Sequence, residues 1–195
     1  VRGLYNYDNR YLLNASFRRD GASVFHRLGN TWDNFYSFGA GWVLSEEAFM
    51  KNQKVVDYLK LKGSWGVLGN QNTGNDYPLY PRLVSSSSAV FGDRIITGYV
   101  PAYLVQNLGW EKTYAWEAGA EFRFLGNRLS VEPVYYHKKT KDLIVNLPSL
   151  AGTQNSLENL GEIENKGWEI SVSWQDQLKE SGFSYGVSAN ITTID

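Results

Sequence analysis

The stretch WEISVSW, residues 168–174, alternates strictly between apolar and polar side chains. In an extended chain the two sets point to opposite faces: the apolar face carries Trp168, Ile170, Val172 and Trp174, and the polar face carries Glu169, Ser171 and Ser173. In a soluble sheet the apolar face would contact a protein core, whereas in an outer-membrane barrel it would contact lipid and the polar face would line a hydrated lumen. This stretch alone is compatible with both.

The same period of two recurs along the chain, and helical periodicity is nearly absent. The further alternating segments are RYLLNASFRR (10–19), FYSFGAGWVL (35–44), LKLKGSWGV (59–67), WEAGAEFRF (116–124), RLSVEPVYY (128–136) and FSYGVSANI (183–191). With a shorter segment around Tyr5 and Tyr7, the sequence predicts an all-β fold of about eight strands.

The connections alternate between short and long. The short ones are 8–10, 126–127 and 176–182, and the long ones are 21–33, 70–111 and 146–165. This asymmetry is typical of an up-and-down antiparallel barrel with tight turns at one end and long loops at the other. The connection 45–58 is the exception, because Ser45 followed by acidic residues predicts a short helix capped by Ser45.

Composition excludes several classes of function. The chain has no cysteine, which excludes disulfide scaffolds, thiolate metal sites and cysteine nucleophiles. Its two histidines, His26 and His137, lie in no ligand-spaced motif, and we predict neither a metal nor a cofactor. A net charge of −1 with scattered basic residues argues against a nucleic-acid partner. Since no apolar run approaches the roughly 18 residues of a transmembrane helix, a barrel is the only spanning structure left.

The polar face distinguishes a barrel from a sandwich. A solvent-facing sheet surface normally carries many Lys and Glu, whereas here that face is mostly Ser, Gly and Asn, which favours a crowded, hydrated lumen. A soluble extracellular carbohydrate-binding β-sandwich remains the alternative. Pro133 falls inside a predicted strand, where we expect a local bulge.

Six longer phrases carry a family resemblance, and they occur in one order: RYLLNASFRRDGAS (10–23), FGAGWVLSEEAFM (38–50), LKLKGSWGVLGNQNTGN (59–75), NLGWEKTYAWEAGAEFRFLGNRLS (107–130), YYHKKTKDLI (135–144) and NLGEIENKGWEISVSW (159–174). Through them the chain resembles SusC/RagA-type TonB-dependent outer-membrane transporters of Gram-negative bacteria.

The resemblance implies part of a barrel of about 22 strands. Residues 1–195 would form a partial barrel without the plug domain, and further strands would follow Asp195. It further implies a SusD-like surface lipoprotein as partner, TonB acting through a plug segment absent here, and an oligosaccharide or peptide as substrate. Outer-membrane lipid would surround the barrel, and the family is compatible with a dimer of the transporter complex.

Aromatic side chains in the long loops are the candidate substrate contacts, because flat rings stack on the C–H faces of sugars. They are Trp32, Tyr77, Tyr80, Tyr99, Tyr103 and Trp110. Asn70, Gln71 and Asn72, in the Gly-rich stretch 69–75, could hydrogen-bond a sugar or simply form the turn. For each aromatic residue, packing within its own loop or against a partner is the competing interpretation.

Charged residues of the polar face are predicted to line the lumen: Lys60, Lys62, Glu117, Glu121 and Arg123. A glycosidase would need two carboxylates several ångströms apart, but Glu117 and Glu121 are four residues apart in one strand, about 13 Å. We therefore predict no catalytic residues and no enzymatic activity, with a glycoside hydrolase as the weakest alternative.

Overall fold

The computed structural model describes residues 1–80, 83–100, 105, 107–148, 155–178 and 182–195. Its strands are β1 (Arg2–Tyr7), β2 (Tyr11–Gly21), β3 (Trp32–Val43), β4 (Val56–Asn70), β5 (Val84–Phe91), β6 (Arg94–Val100), β7 (Glu111–Phe124), β8 (Leu129–Lys141), β9 (Ile144–Leu147), β10 (Ser156–Asn159), β11 (Glu162–Gln177) and β12 (Ser184–Thr192). Two short 3-10 helices, Ser23–Leu28 and Leu44–Glu46, lie in the connections.

One antiparallel sheet of eight strands forms the body of the chain, in the order β1-β2-β3-β4-β7-β8-β11-β12. These are the eight strands predicted from the alternation. Two hairpins within the long connections, β5 with β6 and β9 with β10, pair separately from this sheet. Among the described strands, β1 and β12 are the two edges of the sheet. No helix in the described ranges is long and apolar enough to cross a membrane.

The strand register aligns the apolar face of each strand with that of its neighbours. Phe38 lies opposite Trp65, which in turn lies opposite Trp116 on the next strand. Trp116 is paired with His137, and Tyr135 with Trp168. Because directly opposite residues share a face, this face continues unbroken across the sheet. In the described part of the chain no second sheet covers it, and the β-sandwich alternative is therefore wrong.

Aromatic side chains on the apolar face form two rows. The loop-end aromatic row, on the side of the long loops, consists of Tyr36, Trp65, Trp116, Tyr135 and Trp168. The turn-end aromatic row, on the side of the short turns, consists of Tyr7, Tyr11, Trp42, Trp174 and Tyr185. Trp168 and Trp174 are six residues apart, about 20 Å along a strand, which is close to the height of the apolar band between the aromatic girdles of membrane barrels.

At the turn end, short connections join the strands as predicted. Asp8 and Asn9 both have φ of 52°, and the Arg10 N–H donates to the Tyr7 carbonyl at 3.0 Å, which closes the three-residue connection between β1 and β2. In the β7–β8 turn, the Asp57 carboxylate accepts hydrogen bonds from the backbone N–H of Gly126 (2.6 Å) and Asn127 (3.0 Å). The Asp57 carboxylate, at the start of β4, therefore stabilises the β7–β8 turn.

The β3–β4 connection corrects the prediction of a helix capped by Ser45. Strand β3 runs to Val43 and the chain turns at once, so Val43 is the N-cap of the 3-10 helix Leu44–Glu46 and Ser45 lies inside it. The Ser45 hydroxyl is buried without a hydrogen-bond partner among the described residues.

Pro133 does not produce the predicted bulge. It pairs with Ile170 of β11 in an unbroken ladder. On the β7 side, Gly119 pairs with Val134 and Phe122 with Val131 in one register, although the two residue pairs between them are missing from the ladder. Since proline lacks an N–H, it interrupts the ladder to β7 without inserting a residue. The irregularity on β4 lies instead between Val56 and Tyr58.

The sheet divides at the loop end. Pairing of β3 with β4 stops at Ser37 and Gly66, whereas pairing of β4 with β7 continues to Asn70 and Glu111. The outer end of β3 thus leaves its neighbour and packs over it through Phe35, whose ring lies against Gly69. An apolar cluster fills the space between them, the outer loop core, formed by Ala22, Phe25, Phe35, Val67, Leu79, Leu108 and Trp110.

Candidate functional site

The polar face of the sheet carries the charged residues predicted from the sequence. Lys60, Lys62, Glu117, Glu121 and Arg123 alternate with the residues of the apolar face in β4 and β7. Arg123 Nη2 pairs with Glu121 Oε1 at 2.6 Å, and the Ser64 hydroxyl donates to Glu117 Oε1 at 3.1 Å. Lys60 lies opposite Glu121 in the register. The polar face therefore carries charges of both signs, among which Arg123 and Glu121 form an ion pair.

Glu132 is an additional member of this face that sequence reasoning missed. Its carboxylate forms an ion pair with Lys62 across the intervening strand β7. The residue opposite Lys62 on β7 is Gly119, which has no side chain to obstruct the lysine. A charged residue two strands from its partner shows no local sequence signal, and only the register brings the pair together.

In the outer loop core, Trp110 is buried with 8% exposure. Its ring makes edge contacts with Phe25 and Phe35, at centroid distances of 5.8 and 5.3 Å. This arrangement matches the competing interpretation of Trp110 as a packing residue. Only a small part of Trp110 is accessible, and that part lines a polar cleft beside the outer loop core.

Four of the other candidate aromatic residues remain exposed. Trp32, Tyr77, Tyr80 and Tyr99 have exposed fractions of 62, 63, 60 and 61%. Tyr77 and Tyr80 form an edge-to-face pair at 6.1 Å, and the Arg27 guanidinium lies over the Tyr80 ring at 5.7 Å. Tyr103 lies outside the described residues. The structure thus brings Tyr77 and Tyr80 together, while Trp32 and Tyr99 stand on β3 and on β6.

The Gly-rich stretch 69–75 is held by its own asparagines. Asn70 Oδ1 accepts a hydrogen bond from the Asn72 backbone N–H at 3.0 Å, and Asn72 Oδ1 accepts one from the Gly74 N–H at 3.0 Å. Asn70 Nδ2 donates to Glu111 Oε1 at 3.4 Å. Gln71 is exposed. Asn70 and Asn72 form the turn, as in the structural interpretation, and Gln71 points a polar side chain to solvent.

A polar cleft of about 350 Å³ lies beside the outer loop core and was not predicted from the sequence. Trp32, Asp33, Lys112, Asp142 and Asn159 contribute to its lining. Lys112 Nζ and Asp33 Oδ2 form an ion pair of 2.7 Å, and Asn159 Oδ1 accepts from the Gly109 N–H at 2.5 Å. Its residues come from four separate segments, which is why no local motif indicates it.

No group of three or more His, Asp or Glu side chains in the described ranges is arranged to hold a metal ion. His137 instead lies 3.0 Å from Glu164 Oε1, and His26 lies 3.3 Å from the Thr31 hydroxyl. The two histidines are thus accounted for by local hydrogen bonds.

An antiparallel up-and-down sheet with an uncovered aromatic face and a charge-compensated polar face defines a class of protein. The aromatic face is suited to contact the hydrocarbon core of a membrane, with its aromatic rows at the two membrane–water interfaces. The polar face is suited to line a hydrated barrel interior. The chain is part of the wall of an outer-membrane β-barrel.

Comparison with known proteins identifies the family within this class. The family described as TonB dependent receptor-like, beta-barrel, matches residues 1–195, and the chain belongs to it. The chain is 36% identical to the TonB-dependent receptor SusC of Bacteroides thetaiotaomicron over 97% of its length, and 33% identical to the TonB-dependent receptor P39 of Formosa agariphila over 96%. These alignments cover 20% and 18% of the two relatives, so the chain spans about a fifth of their length.

A solved structure has the same fold. The RagAB peptide transporter superposes with a TM-score of 0.78 at 22% identity, covering 99% of this chain and 21% of that one. The resemblance seen in the sequence is therefore confirmed, as is the all-β fold of antiparallel strands from a large barrel. Its location in the outer membrane of a Gram-negative bacterium follows from the family.

Proposed function

We propose that residues 1–195 form a partial barrel wall, without the plug, of a TonB-dependent importer of the SusC/RagA type, and that the importer takes up a glycan together with a SusD-like surface lipoprotein. In this proposal TonB acts through a plug segment outside the chain. The chain contributes wall and loops, and it contributes neither a motor nor a catalytic group.

The observation that carries the glycan proposal is the exposure of Trp32, Tyr77, Tyr80 and Tyr99 at the loop end. An exposed aromatic ring is available for stacking, and a pyranose ring offers a flat C–H surface of matching size. The adjoining polar groups of the loops, such as Gln71, are suited to hydrogen-bond sugar hydroxyls.

The polar face supports a passage for a bulky, uncharged molecule. It carries charges of both signs, including the ion pairs of Lys62 with Glu132 and Arg123 with Glu121, and Ser and Gly fill much of the remainder. Such a surface presents hydrogen-bonding groups without a strong net field. This arrangement favours neutral polar solutes over ions of one sign.

The β5–β6 hairpin supports the lipoprotein partner. Val90, Phe91 and Ile95 near its tip have exposed fractions of 71, 65 and 74%. An isolated two-stranded hairpin is only marginally stable in water. A protein lid over the mouth would cover these apolar side chains.

Uptake by the full-length receptor in its native host tests the substrate class. Replacing Tyr77, Tyr80 and Tyr99 together by Ala is expected to lower uptake of a labelled oligosaccharide by about tenfold or more, because each stacked ring contributes roughly 0.5–1.5 kcal/mol beyond area burial. The matched control replaces the same residues by Phe, which keeps the rings. We expect that control to retain most of the uptake.

Two outcomes would contradict the glycan assignment. Unchanged oligosaccharide uptake in the Ala variant would remove the role of these rings. A loss of labelled-peptide uptake with oligosaccharide uptake unaffected would assign the receptor to peptides instead.

A further inference from the structure

The polar cleft beside the outer loop core has the size and the lining of a site for a small polar ligand. Its volume of about 350 Å³ lies at the lower end of the range of ligand sites. Its described lining combines amide and carboxylate side chains with two tryptophans and two glycines. Since alternate residues share a face, Lys112 of this lining lies on the side of Trp116, which places the cleft at the loop end outside the polar face.

One wall of the cleft is a tryptophan ring that is oriented by its neighbours and still accessible. Trp32 lines the cleft and is 62% exposed. Its ring lies against Gly21, where a Cβ would come within 2.9 Å of it, and the Arg19 guanidinium lies 5.5 Å from the ring centre. These contacts orient the ring and leave most of it free to pack against the C–H surface of a ligand.

Asp142 contributes a carboxylate that the described part of the chain does not use. Its carbonyl accepts a hydrogen bond from Asn159 Nδ2 at 2.5 Å, which fixes the backbone beside the cleft. Among the described residues, no hydrogen bond or ion pair engages its carboxylate group. An ionised carboxylate accepts hydrogen bonds and donates none, and its two oxygens can accept from two donors side by side. Two adjacent hydroxyl groups of a sugar are such a pair of donors.

The charges of the lining disfavour an acidic ligand. Asp33 Oδ2 lies 2.7 Å from Lys112 Nζ and neutralises this cation. The carboxylate of Asp142 therefore leaves the described lining with a net negative charge. Because like charges a few ångströms apart repel each other, a ligand that carries a carboxylate or phosphate group is opposed here, whereas a neutral ligand rich in hydroxyl groups is not.

We propose that the polar cleft binds one neutral sugar ring of the imported glycan and discriminates against acidic sugars. The C–H surface of the sugar lies against Trp32, and two adjacent hydroxyl groups donate to the Asp142 carboxylate. Lys112, which keeps N–H groups beyond its ion pair, donates to a hydroxyl oxygen of the same ring. The inference rests on the proposed uptake of a glycan and names the kind of sugar that this glycan presents.

Binding to the purified full-length receptor tests this proposal. Calorimetry in detergent measures the affinity for neutral hexasaccharides of glucose, galactose or mannose, and for the same compounds oxidised at C6 to carboxylates. The wild type is expected to bind at least one neutral compound about tenfold more tightly than its oxidised form, because a like charge beside Asp142 opposes binding. Binding of none of the neutral compounds, or equal or tighter binding of the oxidised forms, would overturn the proposal.

Asp142→Asn removes the charge and keeps the shape of the side chain, and asparagine tolerates the left-handed backbone at φ 55°. This variant is expected to bind the neutral compound about tenfold more weakly, because hydrogen bonds to a charged acceptor are the stronger ones. It should also narrow the difference between the neutral and the oxidised compound, which a purely structural role of Asp142 would not do. Trp32→Ala is expected to weaken the binding of both compounds.

Asp8→Asn is the matched control. Asp8 also has a left-handed backbone, with φ of 52°, but it lies in the turn at the opposite end of the sheet, where its carboxylate pairs with Arg10 at 3.0 Å. Its affinities should equal those of the wild type. Unchanged affinities in Asp142→Asn, or an equal loss in Asp8→Asn, would overturn the assignment of the cleft.

The cleft site and the proposed function can fail separately, because binding is measured on the purified receptor and uptake in the native host. Weakened binding in Asp142→Asn, with unchanged uptake after replacement of Tyr77, Tyr80 and Tyr99 by Ala, would contradict the proposed function alone. Unchanged binding in Asp142→Asn, with lowered uptake in the variant without these tyrosines, would contradict the cleft site alone.

Discussion

At the scale of single residues, close packing at the loop end depends on a glycine, because the absence of a side chain leaves space for a neighbouring ring. The Phe35 ring occupies the space that a Cβ at Gly69 would need, and this contact joins the outer end of β3 to β4 after their ladder has ended. Gly63 on the same strand is different, because a Cβ there would meet only the Glu117 carbonyl oxygen at an ordinary 3.6 Å.

Gly69→Ala is therefore expected to displace Phe35 and to lower the free energy of unfolding by about 1–3 kcal/mol, as overpacked cores do. Gly63→Ala is the control and should change that free energy by less than about 0.5 kcal/mol. Equilibrium unfolding by urea, together with protease resistance of the long loops, measures both variants in the full-length receptor. Equal effects of the two substitutions would show that the contact does not brace the loops.

Single-residue roles were the least predictable part of the candidate site. Trp110 and Trp32 look alike in the sequence, yet one is 8% exposed and the other 62%. The difference arises because Trp110 packs against Phe25 and Phe35, which come from other segments of the chain. The sequence around Trp110 does not predict these contacts. For the same reason Glu132 was missed, since its partner Lys62 is two strands away.

At the scale of elements, the period of two predicted every strand of the main sheet, because lipid and lumen impose opposite polarity on alternate residues. The hairpins β5–β6 and β9–β10 were missed. VSSSSAVF, the sequence of β5, shows no such alternation. Hairpins of this kind are stabilised by local pairing, which leaves a weak signal.

The β3–β4 connection contains an interaction that depends on pH. Glu47 accepts hydrogen bonds from the Tyr11 hydroxyl (2.7 Å) and from Trp42 Nε1 (3.0 Å), both in the turn-end aromatic row. The bond from Tyr11 is the main cause that lowers the pKa of the Glu47 carboxyl below its ordinary 4.5, followed by that from Trp42. Folding therefore favours the carboxylate form of Glu47.

Because the pKa of Glu47 is lowered on folding, its contribution to stability is fully present above pH 4.5 and is lost as the pH falls through the lowered value. Unfolding free energies measured between pH 7 and pH 3 should thus fall more steeply for the wild type than for Glu47→Gln. Glu46→Gln, at the exposed neighbouring residue, should follow the wild type. Parallel curves for the wild type and Glu47→Gln would refute the role of these bonds.

At the scale of the whole molecule, the two faces of the sheet differ in the solvent they contact. Ile170 and Ser171 are adjacent in β11, between Trp168 and Trp174, and they point to opposite faces. The location of residues 1–195 within a complete barrel stays a prediction, but which face meets lipid can be tested at these two positions.

Ile170→Arg is expected to lower the free energy of unfolding in lipid vesicles by about 2–4 kcal/mol, because a guanidinium near the bilayer midplane is poorly solvated. Ser171→Arg places the same group on the polar face, where water hydrates it, and should have less than half that effect. Urea unfolding of the full-length receptor in vesicles, with the amount assembled in the outer membrane, checks both. A larger effect at Ser171 would reverse the assignment of the faces.

The outer loop core has a consequence for how such receptors diverge. Ala22 and Phe25 come from the connection 21–33, and Leu79, Leu108 and Trp110 come from two separate parts of the connection 70–111, but all five share one packed interior. A change of size in any one of these side chains must be matched by the others, so homologues should inherit these two loops as a set. New ligand preferences would then arise through changes in the exposed aromatic residues around these loops, whereas the buried residues of the outer loop core would change slowly.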